Sequence, residues 1–154
     1  MNDCNNIYAR KYTEDAKNVI IAQGRGKGKD TGIVLHNCSI RADKNLQPCP
    51  QIKSFQGRPW FSYSQTIVME CFLDKLIDLE DWLPKGEKKR LSTLHFLEYT
   101  NRGPIANITR RLKWSGYHIA KNSKEFKYFT VENFINGNQW LPSLGILFVS
   151  GFIH

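Results

Sequence analysis

Three cysteine-centred segments recur at a near-constant interval and limit the chain more than any single motif does. They read "DCNNIYAR", "NCSIRAD" and "ECFLDKL" around Cys4, Cys38 and Cys71. The step from Cys4 to Cys38 is nearly the same as the step from Cys38 to Cys71, and each cysteine has Ile7, Ile40 or Leu73 shortly after it. A period of roughly 20 to 50 residues is the mark of stacked units, each burying one face on the next. The runs "NVIIAQ" (18–23), "GIVLHNCSI" (32–40), "QTIVMECFL" (65–73) and "TLHFLEYT" (93–100) are apolar and β-rich, and Gly, Asn, Asp, Lys or Pro clusters bound them. Each period therefore holds more than one strand and suits an all-β solenoid. Two readings of the cysteines stand: an inward-facing column on successive coils, or independent core positions. The one helix candidate is "TVENFINGNQW", with Thr130 as cap, Phe134 and Ile135 packing, and Gly137 as the stop.

A chain of 154 residues fits a single domain with its own core. The formal charge of +8 favours an anionic partner: nucleic acid, an acidic membrane face or an acidic polysaccharide. No apolar run is long enough for a membrane span, and the stretch from Met1 to Asp15 carries no signal-peptide core, which read alone points to the cytosol. Asn37-Cys38-Ser39 and Asn107-Ile108-Thr109 are sequons that point weakly the other way. The cysteines Cys4, Cys38, Cys49 and Cys71 have no zinc-type pairing, so no metal is expected.

The glycine-rich loop "AQGRGKGKDTG" (22–32) lacks the spacing of a phosphate cradle and runs into a strand, so it reads as a solvated turn, with contact to nucleic acid phosphates as the alternative. "KGEKKRL" (85–91) is a second basic run without interleaved aromatics. His36, His95, His118 and His154 are dispersed, and no serine or cysteine sits in a nucleophile-elbow context. Asp74 and Asp78 are the carboxylates with the most apolar neighbours, and they do not form a convincing acid/base pair. The remaining candidate is "FQGRPWFSYS". Gly57 allows an unusual backbone angle there, Pro59 holds Arg58 extended, and Trp60 offers a flat face two residues on. A guanidinium beside an indole suits carboxylates and sugar rings, whereas a surface arginine beside a core tryptophan is the plainer account.

Taken in order, "NIYARK", "NVIIAQGR", "TGIVLHNCSIRA", "GRPWFSYSQTIVMECFLDKLI", "DWLP", "LSTLHFLEYTNRGP", "WSGYHI", "FTVENFINGNQWLP" and "GILFVSGFI" resemble the C-terminal part of the catalytic domain of plant-type pectinesterases, over residues 1–154. The resemblance implies a right-handed, single-stranded parallel β-helix, cut on its N-terminal side. It implies hydrolysis of methyl esters of homogalacturonan in the cell wall, by a secreted monomer that acts on pectin rather than nucleic acid or membrane and uses no metal or organic cofactor. In that family one aspartate attacks the ester carbonyl, a second serves as general acid and then base, and glutamines stabilise the oxyanion. By the same resemblance Arg58 orients the nucleophilic aspartate, and Arg58 and Trp60 bind the substrate, Trp60 lining the sugar-binding cleft.

The family's aspartate and glutamine motifs lie upstream of the "NIYAR" strand, so this chain is expected to lack them and to be inactive alone. A non-catalytic binder of pectate is the alternative. The chain also departs from the family pattern at Gln56 (usually leucine), Lys85 (usually tryptophan) and Leu147 (usually proline), and "KGEKKR" is more basic than usual. A solenoid with an uncovered coil is expected to aggregate or to be only marginally folded.

Overall fold

The computed structural model describes residues 6–10, 17–46, 51–84, 91–120 and 122–153. Its strands are β1 (Asn6–Ala9), β2 (Asn18–Gln23), β3 (Ile33–His36), β4 (Ser39–Ala42), β5 (Ser54–Pro59), β6 (Gln65–Met69), β7 (Phe72–Leu73), β8 (His95–Tyr99) and β9 (Tyr117–Ile119). They assemble into three sheets, ordered β1-β4-β7, β2-β5 and β3-β6-β8-β9. The chain visits the three sheets in turn and then repeats, laying parallel strands on those of the coil before. That path is a parallel β-helix. Cys4, Cys49 and Lys85 lie outside the described residues.

Asn6 pairs with Ser39 and Ser39 with Phe72, so each coil of the first sheet advances by the interval that separates Cys38 from Cys71. Ile33 pairs with Thr66 at the same step. The cysteine interval is thus the coil length. Cys71 is fully buried in the core and Cys38 packs against that core, so these two cysteines form part of an inward column.

The runs "GIVLHNCSI", "QTIVMECFL" and "TLHFLEYT" each meet a corner that their composition hides. Asn37, Glu70 and Thr100 adopt φ of 52°, 55° and 42°. These left-handed residues turn the chain out of the third sheet after β3, β6 and β8 respectively. Asn101 secures the corner: its Oδ1 accepts from the Cys71 N–H at 3.0 Å, and its Nδ2 donates to the Val68 carbonyl at 3.2 Å.

The core of the solenoid is aromatic as well as aliphatic. Trp82 is fully buried, with its ring centroid 4.6 Å from Phe96 and 6.3 Å from Tyr117. Gly57 explains how the indole fits. A Cβ on Gly57 would lie 2.7 Å from the Trp82 ring. Gly57 is not among the residues with positive φ. Its role is close approach to Trp82, not the unusual backbone angle expected from sequence.

Residues Met1–His118 form one compact unit and Ile119–His154 a second. In the second, α1 (Val131–Phe134) and α2 (Gly137–Trp140) are single turns. Gly137 begins α2 rather than ending α1, with Asn136 left-handed before it. Val131 explains the glycine, because a Cβ at Gly137 would lie 2.3 Å from Val131 Cγ1. Thr130 does not cap through its side chain; its hydroxyl donates to the Lys127 carbonyl at 3.0 Å. Phe134 packs against Tyr128 and Phe129, whereas Ile135 is exposed. Among the described residues no helix is long and apolar enough to cross a membrane.

Candidate functional site

Arg58 lies near the end of β5, in register with Ala22 of β2. Pro59 follows, paired with Gln23, and ends the strand because proline has no N–H to continue the ladder. The chain then makes a tight turn through Trp60, Phe61, Ser62 and Tyr63. The Trp60 N–H donates to the Gln23 carbonyl at 2.9 Å. The Ser64 hydroxyl lies within donating distance of two carbonyls, that of Phe61 at 2.7 Å and that of Gln23. From the next coil the Thr93 hydroxyl donates to the Ser62 carbonyl.

The basic loop supports this turn. Gln23 is buried, and its Oε1 accepts from the N–H groups of Gln65 at 2.8 Å and Arg25 at 3.0 Å. Arg25 donates from Nε to the Tyr63 carbonyl at 2.7 Å and from Nη1 to Gln65. Gly24 lies against Phe61, and a Cβ on it would sit 3.3 Å from the ring. Arg25, the arginine of "QGRGKGKD", is therefore tied to the turn that carries Trp60.

The two candidate residues differ in a useful way. Trp60 is 51% exposed and Phe61 59%, so the turn presents aromatic faces outward. Arg58 is half-buried, and its Nε is a buried donor with no hydrogen-bond acceptor among the described residues. An unmatched buried donor on a cation is costly, by about 1–3 kcal/mol or more. An acceptor brought to this Nε would offset that cost, and a carboxylate fits the planar fork of an arginine best.

Sequence reasoning missed the carboxylates that are buried. Asp74 and Asp78 are not enclosed, and Asp78 pairs with exposed Lys53 at 3.0 Å. The enclosed ones are Glu70, Asp81 and Glu98. Glu70 Oε2 lies 2.6 Å from His36 Nε2. Glu98 is gripped by buried Arg111, whose Nε donates to Oε1 at 3.0 Å and Nη2 to Oε2 at 3.1 Å. Tyr117 adds its hydroxyl to Oε1 at 2.7 Å. A period of two puts Glu98 on the face of Phe96, which is core, so the strand pattern held the signal for Glu98.

Asp81 sits 3.5 Å from the same Arg111, and its carboxylate oxygens have no hydrogen-bond donor among the described residues. Burial, and then the charge of Glu98, push the Asp81 carboxyl well above its usual range. Burial acts upward on Glu98 as well, but Arg111 and the donors around it hold that group below its usual range. One arginine neutralises one carboxylate here, so burial beside Glu98 favours the protonated form of Asp81. The set is closed off and stands apart from Arg58 in its hydrogen bonding, which marks it as structural.

A groove of about 450 Å³ runs along the outer edge strands and is lined by Ile7, Tyr8, Arg10, Lys17, Asn18 and Ile20 among others. Neither Arg58 nor Trp60 lines it.

A pectinesterase family model matches residues 1–138. "Pectinesterase 2" of Citrus sinensis is 42% identical over 148 residues, which cover 95% of this chain and 29% of that protein. "Probable pectinesterase/pectinesterase inhibitor 35" of Arabidopsis thaliana is 40% identical over 149 residues, covering 96% of this chain and 26% of that protein. The chain thus spans under a third of the length of these relatives. Among solved structures, pectin methylesterase from carrot superposes with a TM-score of 0.92 at 35% identity, covering 96% of this chain and 47% of that one. A pectin methylesterase from Aspergillus niger matches at TM-score 0.61 and 17% identity over 80% of this chain and 37% of that one, which bears on the fold alone. On the family match and these identities, the chain belongs to the pectinesterase family.

Proposed function

We propose that this chain serves the hydrolysis of methyl esters of cell-wall homogalacturonan and contributes the arginine and aromatic part of the site. Arg58 orients a carboxylate nucleophile, and Trp60 stacks on a galacturonate ring. The observation that carries this reading is the buried Arg58 Nε without an acceptor, two residues from a half-exposed indole. Attack by a carboxylate on the ester carbonyl expels methanol once a general acid has protonated the leaving oxygen, and water then frees the acyl group. In this reading the arginine keeps the attacking carboxylate ionised and aimed. No metal or organic cofactor is called on, and the protein works outside the cell as a monomer.

The reading includes that this chain alone does not turn over ester, because no carboxylate among the described residues accepts from the Arg58 Nε. Loss of a nucleophile removes several powers of ten in rate. Methanol release from esterified pectin by the purified chain is expected to stay at background; release at the rate of a full-length pectinesterase would contradict this.

A second reading has its own support in the formal charge of +8 and the exposed Trp60: a binder of de-esterified pectin without catalysis. Retention on a pectate column, lost with added salt and weakened by Trp60→Ala, is its expected mark. Passage through that column unretained, or a preference for DNA or RNA over pectate at matched charge, removes it.

A further inference from the structure

We propose that Lys27 and Lys29 form a subsite for the free carboxylate of a galacturonate unit, beside the turn that carries Trp60. The inference rests on the proposed function and adds to it a preference for substrate that already holds free acid groups. The two lysines belong to the basic loop, which composition alone presents as a solvated turn.

Two contacts fix where that loop begins. Arg25 is engaged by the aromatic turn, donating to the Tyr63 carbonyl at 2.7 Å and to the side chain of Gln65. Gly24 lies at the base of Trp60, since a Cβ on it would sit 3.6 Å from Trp60 Cβ and 3.3 Å from the Phe61 ring. Lys27 is three residues further on, so at most roughly 11 Å of backbone separates it from that contact. The chain then folds back on itself. The Lys29 N–H donates to the Gly26 carbonyl at 3.3 Å, and Gly28 takes the left-handed φ of 72° that a glycine in the third place of a turn supplies.

The tip of this loop faces solvent. A Cβ on Gly26 or on Gly28 would meet nothing within 4 Å, so the tip stands clear of the other described residues. Lys27 and Lys29 are both exposed, and among the described residues no ion pair joins either to a carboxylate. Asp30 is the one acidic side chain between Gly24 and Gly32, against Arg25, Lys27 and Lys29. With Arg25 held by the turn, the two lysines are the cations left to meet a ligand lying on the aromatic face.

An acidic sugar chain matches this arrangement in both parts. One ring stacks on the exposed indole, and the carboxylate of a neighbouring unit meets an ammonium that reorients on a long, flexible stem. A methyl ester in the same place carries no charge, so the lysines discriminate the free acid from its ester. Exposed charge pairs contribute little singly, and two of them amount to roughly 2- to 30-fold in affinity. Single-stranded nucleic acid also combines stacking with backbone charge. Membership of the pectinesterase family favours the uronate.

The test is calorimetric titration of the full chain with two oligogalacturonates of one length, the first fully de-esterified and the second fully methyl-esterified. The wild type is expected to bind the free acid more tightly. Lys27→Gln with Lys29→Gln should lose roughly 2- to 30-fold of that affinity, with affinity for the ester unchanged. Binding of the free acid should also depend less steeply on salt in this variant. Lys124→Gln with Lys127→Gln removes equal charge from the second compact unit and should change neither affinity. Equal losses in the two double variants, a loss that falls on both oligomers alike, or a wild type without preference would overturn the subsite. Tighter binding of a single-stranded DNA of matched charge, lost with Lys27 and Lys29, would overturn it in favour of nucleic acid. Trp60→Ala separates the subsite from the function beneath it. If that change weakens both oligomers and the lysine changes weaken neither, the subsite alone fails; if the wild type binds neither oligomer, both fail. Both ligands are titrated into one preparation, so self-association of the chain enters the two affinities alike.

Discussion

Among single residues, the proposed function divides the work between the charge of Arg58 and the exposed face of Trp60. Arg58→Ala removes a charge-assisted hydrogen bond worth about 1.5–3 kcal/mol, so affinity for de-esterified oligogalacturonate should fall roughly 10- to 100-fold. Arg58→Lys should restore only part of it, because an ammonium lacks the planar fork. Calorimetric titration checks both, and equal affinities for wild type and Arg58→Ala would exclude a part for Arg58 in binding the substrate. The closed set of Asp81, Glu98 and Arg111 makes a separate prediction for stability. With the Asp81 carboxyl raised in the folded state, its contribution is complete below the ordinary carboxylate range and is lost as pH rises through the folded value. The Glu98 contribution has the opposite sign, being present above the ordinary range and lost as pH falls through its lowered folded value. Asp81→Asn should therefore remove the decline on the alkaline side, on the order of 1 kcal/mol per pH unit where Asp81 titrates, and keep the acid-side loss. Chemical denaturation across pH measures it. The sequence singles out "GRPW" as a candidate; of the buried trio only Glu98 left a signal, through its period-two place on the face of Phe96, whereas the burial of Asp81 beside Glu80 shows only in the fold.

Among the elements, the strand content could be read from β-rich runs and the corners could not. "NVIIAQ" matches β2 residue for residue, whereas "GIVLHNCSI" and "QTIVMECFL" each break into two strands in different sheets. The break is a single left-handed residue, and asparagine, glutamate and threonine at Asn37, Glu70 and Thr100 do not announce it as glycine would. Thr100 is the least suited of the three, because a β-branched side chain crowds the left-handed backbone. It is exposed, so Thr100→Asn should stabilise the protein by up to about 1 kcal/mol, seen as a higher Tm. Gly57 points the other way. Gly57→Ala would drive a methyl group into the Trp82 ring and should destabilise the coil by about 1–3 kcal/mol, read by chemical denaturation. The same change disturbs β5 and thereby the position of Arg58, so oligogalacturonate binding should weaken with stability.

For the molecule as a whole, the cysteine interval announced a solenoid because stacked coils must repeat at the coil length, and β1, β4 and β7 do so at the Cys38-to-Cys71 step. The short turns of the second compact unit were harder to foresee, since Gly137 serves Val131 packing and not helix termination. The strands β1, β2 and β3 each stand at one end of their sheet among the described residues. Unpaired strand edges invite further strands. The isolated chain should therefore self-associate or melt without a sharp transition, and a soluble monomer with a cooperative melt in analytical ultracentrifugation and calorimetry would contradict that. On the proposed function, this chain carries the arginine and aromatic half of a pectin methylesterase site, and further coils supply the carboxylate that accepts from Arg58. The most direct test is methanol release from esterified pectin by this chain joined in frame to the upstream coils of the carrot relative. Turnover by the joined protein is expected, with background release by this chain alone. Arg58→Ala should lower turnover by the joined protein at least roughly 100-fold, a factor taken from about 2.7 kcal/mol or more for a lost catalytic hydrogen-bond donor. Equal turnover with and without Arg58, or full turnover by this chain alone, would contradict the proposed division of the site.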